Sequence, residues 1–440
     1  MENEPRFGIG RVTRFYVPLL LQAFSQSLSY PLVSGIVTHG ANGVDALTAF
    51  SQGLMIMFMI GALGIGLVTT GMVFAKTWLG YATFRRLNAM MMAALVSLQC
   101  VPAMPPLDGW IFQGLFGLPP DLAEVSRWTL LASAVMNAGF FLRNCPLVVL
   151  FNNLESGKAT FATAIRIVVT LVCTATFPRA GLTGPKWGLA ALTIGVWTET
   201  ALTWLAARHY VAALPNRPAD GERAELPVGA AALLVEQFRF TMPLAFGGFL
   251  LACSPLIVAA FVSRSANAAD MLAIHYTTLG VANPVAFAAL RMQTVAVKFH
   301  PEYPGDIRLL VYAVVSGLLL GTIPLVFSLP IPGDWYFATF QNVPPRILGT
   351  AKLAIGIYSL ICVIQAVRAR IEGIAAAQKR PRAIMWGQIA YTSSLFVVCA
   401  TLLPLGCPGW AIALSAIFIA PICVTATVYA ALGRKKEKPA

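Results

Sequence analysis

Apolar runs, each about the length of a bilayer crossing, recur along the whole 440-residue chain and leave little room for anything else. Broken by proline, glycine and charge, they place spans at residues 12–37, 44–74, 87–111, 128–151, 159–177 and 188–211. Six more follow at 238–262, 271–297, 309–329, 347–366, 384–403 and 411–432. Charged residues make up only 11% of the chain and hydrophobic ones 58%, where a soluble domain carries about 25% charged. The expected fold is an all-α integral membrane protein of about twelve transmembrane helices, with no sizeable extramembrane domain.

Net charge is +13, from 31 Lys and Arg against 18 Asp and Glu. In a soluble chain that excess would point to nucleic acid; here it is explained by basic cytoplasmic loops, and no nucleic-acid partner is expected. Of the 31, 21 fall in the loops of one face, 6 in those of the other and four inside spans, which puts both termini in the cytoplasm. Residues 1–14 lead into the first span without the cleavage pattern of a secretory signal, so they are expected to be retained. The eight cysteines are scattered singly and read as small apolar residues, with neither disulfide nor metal spacing.

Sliding the chain against itself by 225 residues aligns Arg14-Phe15, Pro18-Leu19, Ala41-Asn42, Asp45 and Leu47 with Arg239-Phe240, Pro243-Leu244, Ala266-Asn267, Asp270 and Leu272. The same offset sets Arg143 on Arg368, and a slip of two residues sets Pro185 and Trp187 on Pro408 and Trp410. The chain therefore reads as a six-helix bundle over 1–213, a polar, proline-rich cytoplasmic linker over 214–227, and a second six-helix bundle over 228–440. An even number of spans per repeat gives the bundles one orientation, related by a pseudo-twofold axis along the membrane normal with a central cleft. A dry, packed seam is the alternative.

Arg143, Arg166, Arg291 and Arg368, with Arg368 two residues past the apolar run at 347–366 but set at the depth of Arg143 by the repeat, are counted within spans, each at least about 2.5 to 3.5 kcal/mol unfavourable there unless water or a partner receives it. They sit about 9 to 13 Å from the inner ends of their helices. Structural pairing with Glu199, the one carboxylate well inside a span, is one reading, and contact with an anionic substrate is the other. Arg143 and Arg368 favour substrate contact, because the repeat places both at one depth on equivalent helices. Gln26, Asn144, Gln293 and Gln365 are neutral groups that would complete such a site, and Glu199 is the candidate for proton coupling. Pro31 and Pro255 offer bends for alternating access or for packing, and Asp45 and Asp270 read as outer-face helix caps. No phosphate loop, His-Glu-x-x-His or nucleophile cluster occurs, so no catalytic residue, metal or cofactor is assigned and an enzyme is not expected.

Arg14-Phe15-Tyr16-Val17-Pro18-Leu19, Gly71-Met72-Val73-Phe74, Met242-Pro243-Leu244-Ala245, Phe261-Val262-Ser263-Arg264, Val367-Arg368-Ala369 with Gly373 and Lys379, and Tyr429 before Arg434-Lys435-Lys436 resemble the progressive ankylosis (Ank) family. The resemblance runs from the first span to the tail in order. It implies a member of the multidrug/oligosaccharidyl-lipid/polysaccharide exporter superfamily, two six-helix bundles working by alternating access. It further implies outward movement of pyrophosphate, nucleotide or citrate-like anions, and the short loops suit a bacterial inner-membrane protein. The expected function is thus a secondary exporter of small multivalent anions, monomeric, with substrate and lipid bilayer as partners. A lipid-linked oligosaccharide flippase and a cationic multidrug antiporter of the same superfamily are the alternatives.

Overall fold

A computed structural model describes residues 8–40, 43–216 and 229–433. The expected linker lies outside the described residues from 217 onward. Every described element is helical. In the first repeat these are α1 (Ile9–Thr38), α2 (Gly43–Gly61), α3 (Gly66–Phe74), α4 (Trp78–Cys100), α5 (Pro120–Asn152), α6 (Ser156–Thr176) and α7 (Pro185–Ala212). The second repeat has α8 (Ala230–Val262), α9 (Ala268–Ala289), α10 (Met292–Phe299), α11 (Ile307–Val326), the single turn α12 (Pro330–Gly333), α13 (Pro345–Tyr358), α14 (Ile361–Ala377), α15 (Pro381–Leu402) and α16 (Gly409–Gly433).

The duplication is legible in the element boundaries. At the same 225-residue offset α2 and α9 begin together, as do α6 and α15, and α5 spans the same stretch as α13 with α14. Even the π-helical turns Gly109–Leu115 and Asp334–Phe340 coincide, each pinned to the following helix by an ion pair, Arg127 with Asp108 at 4.0 Å and Lys352 with Asp334. Proline opens α5, α7, α13 and α15, where its missing N–H costs nothing and its fixed φ suits a first turn.

Nine helical stretches among the described residues are long and apolar enough to cross a membrane; α1, α4 and α9 are the remaining long helices. Two expected boundaries and one expected cap differ. The third span begins at Trp78, not residue 87, because Arg85 and Arg86 ride exposed on the helix and do not end it. The tenth runs on to Ala377, beyond the expected end at residue 366, carrying Arg368 and Glu372 inside the fold. Asp270, expected as a cap, sits in the first turn of α9, its carboxylate accepting two hydrogen bonds from Arg346 at 2.7 and 2.9 Å.

Packing divides the chain into two units, Phe24–Phe249 in one and the stretches up to Ala23 and from Leu250 in the other. In the first unit, Phe50, Leu54, Met136, Leu189 and Val196 form one apolar cluster, and Leu67, Phe84, Leu87, Val148 and Val149 another. The first half of α8 belongs to this unit: Gln237 donates to Thr83 at 2.9 Å, and the Thr241 and Thr70 hydroxyls meet at 2.8 Å. Gly66 makes room for it, since a Cβ there would lie 2.5 Å from Leu244. Reciprocally, the first half of α1 packs in the second unit, with Phe15 edge-on to Phe299 and Arg11 paired to Glu302 at 2.8 Å.

Candidate functional site

Three helices of the first unit bring three charges together. Arg143 comes from α5, Arg166 from α6 and Glu199 from α7, with side-chain exposures of 10%, 3% and 0%. Thr163 stands one turn before Arg166 on the same face of α6, and its hydroxyl donates to Glu199 Oε1 at 2.5 Å. Arg166 Nη1 donates to Glu199 Oε2 at 2.9 Å and its Nη2 to the Ser29 hydroxyl at 3.0 Å. Gly195, one turn before Glu199, permits the approach: a Cβ there would lie 2.6 Å from Thr170 Oγ1 and 3.1 Å from Arg166 Cγ.

Arg143 is held differently. Its Nη1 is 2.7 Å from Glu199 Oε1, an ion-pair distance, but neither that N–H nor Nε is directed at an acceptor; Arg166 Nε is also unmatched. Its guanidinium carbon lies 5.2 Å from the Phe140 ring centroid. Two guanidinium groups set against one carboxylate give the cluster a formal excess of one positive charge.

At the repeat-equivalent place in the second unit, Arg368 is enclosed. Its Nε donates to Glu372 Oε1 at 3.0 Å, Nη1 to Gln365 at 3.2 Å and Nη2 to Gln388 at 3.0 Å. Gln388 donates in turn to Glu372 at 2.8 Å, and the Tyr391 ring lies 4.9 Å from the guanidinium carbon. One arginine meets one carboxylate, and the cluster is neutral. Glu199 is therefore not the sole carboxylate inside the helical bundle. Glu372 lies beyond the expected end of its span at residue 366, eleven residues short of the helix end at Ala377; its i, i+4 spacing from Arg368 was the available signal.

The other expected site residues fall as follows. Gln365 joins the Arg368 cluster. Asn144, although next to Arg143, donates to Asn88 Oδ1 at 3.2 Å, and Asn88 donates to the Phe141 carbonyl at 2.9 Å. Gln26 is half-buried on α1, one turn before Ser29. Arg291 is half-buried at the break between α9 and α10, and Gln293 follows in the first turn of α10, where its carbonyl lies against Gly373. Elsewhere in the second unit, His275, Thr278, Tyr358 and Trp410 line a cavity with space for about one water molecule, too small for an organic anion. Among the described residues no three or more His, Cys, Asp or Glu side chains converge as metal ligands.

No family model matches the chain, and no curated protein does. Solved structures do. The chain is similar to the crystal structure of the eukaryotic MATE transporter AtDTX14, with a TM-score of 0.75, 12% identity and coverage of 96% of this chain and 95% of that one. A MATE structure in the bent conformation is similar at a TM-score of 0.73 and 12% identity, over 96% of this chain and 95% of that one. A MOP-superfamily transporter from Pyrococcus furiosus is similar at 0.71 and 13%, over 97% of this chain and 96% of that one. The fold is therefore that of the MATE transporters, which have twelve helices in two bundles.

Proposed function

We propose that this protein is a secondary transporter that exports small multivalent anions, pyrophosphate, nucleotide or citrate-like, across a bacterial inner membrane by alternating access. The observation that carries this reading is the buried Arg143–Glu199–Arg166 cluster, with its surplus positive charge and unmatched guanidinium N–H groups. Guanidinium donors suit the paired oxygens of carboxylates and phosphates. The resemblance to the Ank family supports the same substrate class, and the basic loops support cytoplasmic termini.

One similar structure is an outward-facing multidrug resistance MATE family transporter, which makes a multidrug transporter the second reading. A site for organic cations wants unneutralised carboxylates, and here both Glu199 and Glu372 are paired with arginine. The Pyrococcus furiosus transporter is described by a reverse polarity of its binding pocket that suggests a different function.

The test is uptake into inside-out vesicles of labelled pyrophosphate, citrate and ATP, with ethidium as a cationic control, each with and without a pH gradient. Anion uptake is expected, falling at least about tenfold in Arg143→Gln at equal protein level. Ethidium uptake without anion uptake would overturn the reading.

A further inference from the structure

Glu199 is oddly placed for a group whose only task is to neutralise an arginine. Its two oxygens are already engaged, Oε1 by the Thr163 hydroxyl at 2.5 Å and Oε2 by Arg166 at 2.9 Å. Arg143 reaches Oε1 at ion-pair distance, but its Nε and Nη1 lack directed acceptors, and it is the more accessible of the two arginines, 10% against 3%. Arg143 is thus the replaceable partner and Arg166 the fixed one. The second repeat has no counterpart of this arrangement. Position 166 becomes Tyr391, α16 carries no acid, and Arg368 has an acceptor on each of its three nitrogens.

We infer that Glu199 stands in for the transported anion between transport events, that substrate takes Arg143 from it, and that binding of a dianion carries one proton from water onto Glu199. This rests on the anion reading above and assigns its coupling group. The balance is one of charge: the cluster holds one net positive charge, so a dianion leaves one negative charge in excess, and a single proton restores neutrality. In a buried site that excess is unfavourable, so proton and anion arrive together. The charged and titratable groups facing Glu199 are Arg143 on α5, Arg166 on α6 and Tyr30 on α1, which lies within electrostatic reach of both guanidiniums. Guanidinium groups and a neutral phenol have no site for a further proton, so it goes to Glu199 itself. The neutral Arg368 cluster positions its helices and does not exchange partners.

The full-length protein in nanodiscs is titrated calorimetrically in two buffers of different ionisation enthalpy, which counts protons bound. Pyrophosphate is one probe, and sulfate, which has no titratable proton near neutrality, is the other. Wild type should take up about one proton more per pyrophosphate than Glu199→Gln, and about one per sulfate. Glu199→Gln should bind pyrophosphate at least about tenfold more tightly, and Arg143→Gln should lose binding. If nothing binds either probe in wild type, the anion reading itself fails. If wild type binds but its proton count equals that of Glu199→Gln, the coupling role is overturned with the anion reading intact. Should Glu199→Gln fail to fold, the wild-type count decides, and a value of zero overturns the inference. Unaltered affinity in Arg143→Gln removes the exchange step.

Discussion

The Tyr391 ring lies 4.9 Å from the Arg368 guanidinium carbon, at the position where the first repeat carries Arg166. The repeat-equivalent arginines Arg143 and Arg368 are thus surrounded in two different ways. In the first unit a second arginine and a carboxylate from α7 make a charged cluster; in the second, an aromatic ring and a carboxylate from the arginine's own helix make a neutral one. Thr163 and Gln388, equivalent by the same offset, both hydrogen-bond the carboxylate of their cluster. The arginine is common to both repeats, and its surroundings decide what it does.

Removing one member of the enclosed pair should be costly. With side chains 1% and 5% exposed, Arg368→Met leaves the Glu372 carboxylate buried without its counter-charge, an expected loss of about 3 to 5 kcal/mol. The double variant Arg368→Met, Glu372→Leu should recover most of it, because the desolvation penalty of both charges is removed together. Chemical denaturation of the purified protein in mild detergent measures the difference. Transport retained by the double variant is the expected outcome for a structural cluster.

Gly195 should tolerate no side chain. Its Cβ would meet Thr170 Oγ1 at 2.6 Å and the stem of Arg166 at 3.1 Å, where α7 packs on α6. Gly195→Val is expected to destabilise by about 1 to 3 kcal/mol and to separate Glu199 from Arg166. Gly157→Val, at an open position on α6, is the control and should leave thermal stability within about 0.5 kcal/mol.

Loss of the Thr163 hydroxyl removes one hydrogen bond from Glu199 Oε1 and leaves the Arg143 guanidinium beside it. Thr163→Val is nearly isosteric, so the effect reads the hydrogen bond itself, about 1 to 3 kcal/mol for a buried charged acceptor. The charges are unchanged, so pyrophosphate binding should persist with its proton uptake intact. A calorimetric titration of the variant checks both.

The ion pair of Asp270 with Arg346 lies in the first turn of α9, ahead of the span expected from residue 271, and responds to pH. Hydrogen bonds from Arg346 hold the Asp270 carboxyl below the usual carboxylate range. A carboxyl lowered in the folded state stabilises above its unfolded pKa of about 3.9, and the contribution disappears as pH falls through the folded value. The stability difference between wild type and Arg346→Gln should therefore be flat above about pH 5 and shrink in stronger acid. It should also shrink with added salt, since Arg346 is 70% exposed.

Much of the fold was legible because bilayer thickness and backbone hydrogen bonding restrict an apolar chain to helices of known length. The 225-residue repeat was equally plain, and the structure extends it to the paired π-helical turns, since duplicated helices keep their boundaries when their loops keep their lengths. The buried arginines could be named from sequence too, as charge inside an apolar run is conspicuous. Their partners could not. Whether Arg143 faces Glu199, and whether Asn144 beside it turns to Asn88, depends on helix rotation about an axis that a uniformly apolar pattern does not specify.

By itself, then, the sequence determined that the chain is a duplicated set of membrane helices with basic residues inside. Tertiary structure decided the rest: that Arg143 and Arg166 share one carboxylate while Arg368 is enclosed, and that the first halves of α1 and α8 pack with helices of the opposite repeat. The reason is physical. Insertion depends on residue-by-residue transfer energy, which is additive along the chain, whereas pairing and helix exchange depend on which faces meet, a property of packing between segments far apart in sequence.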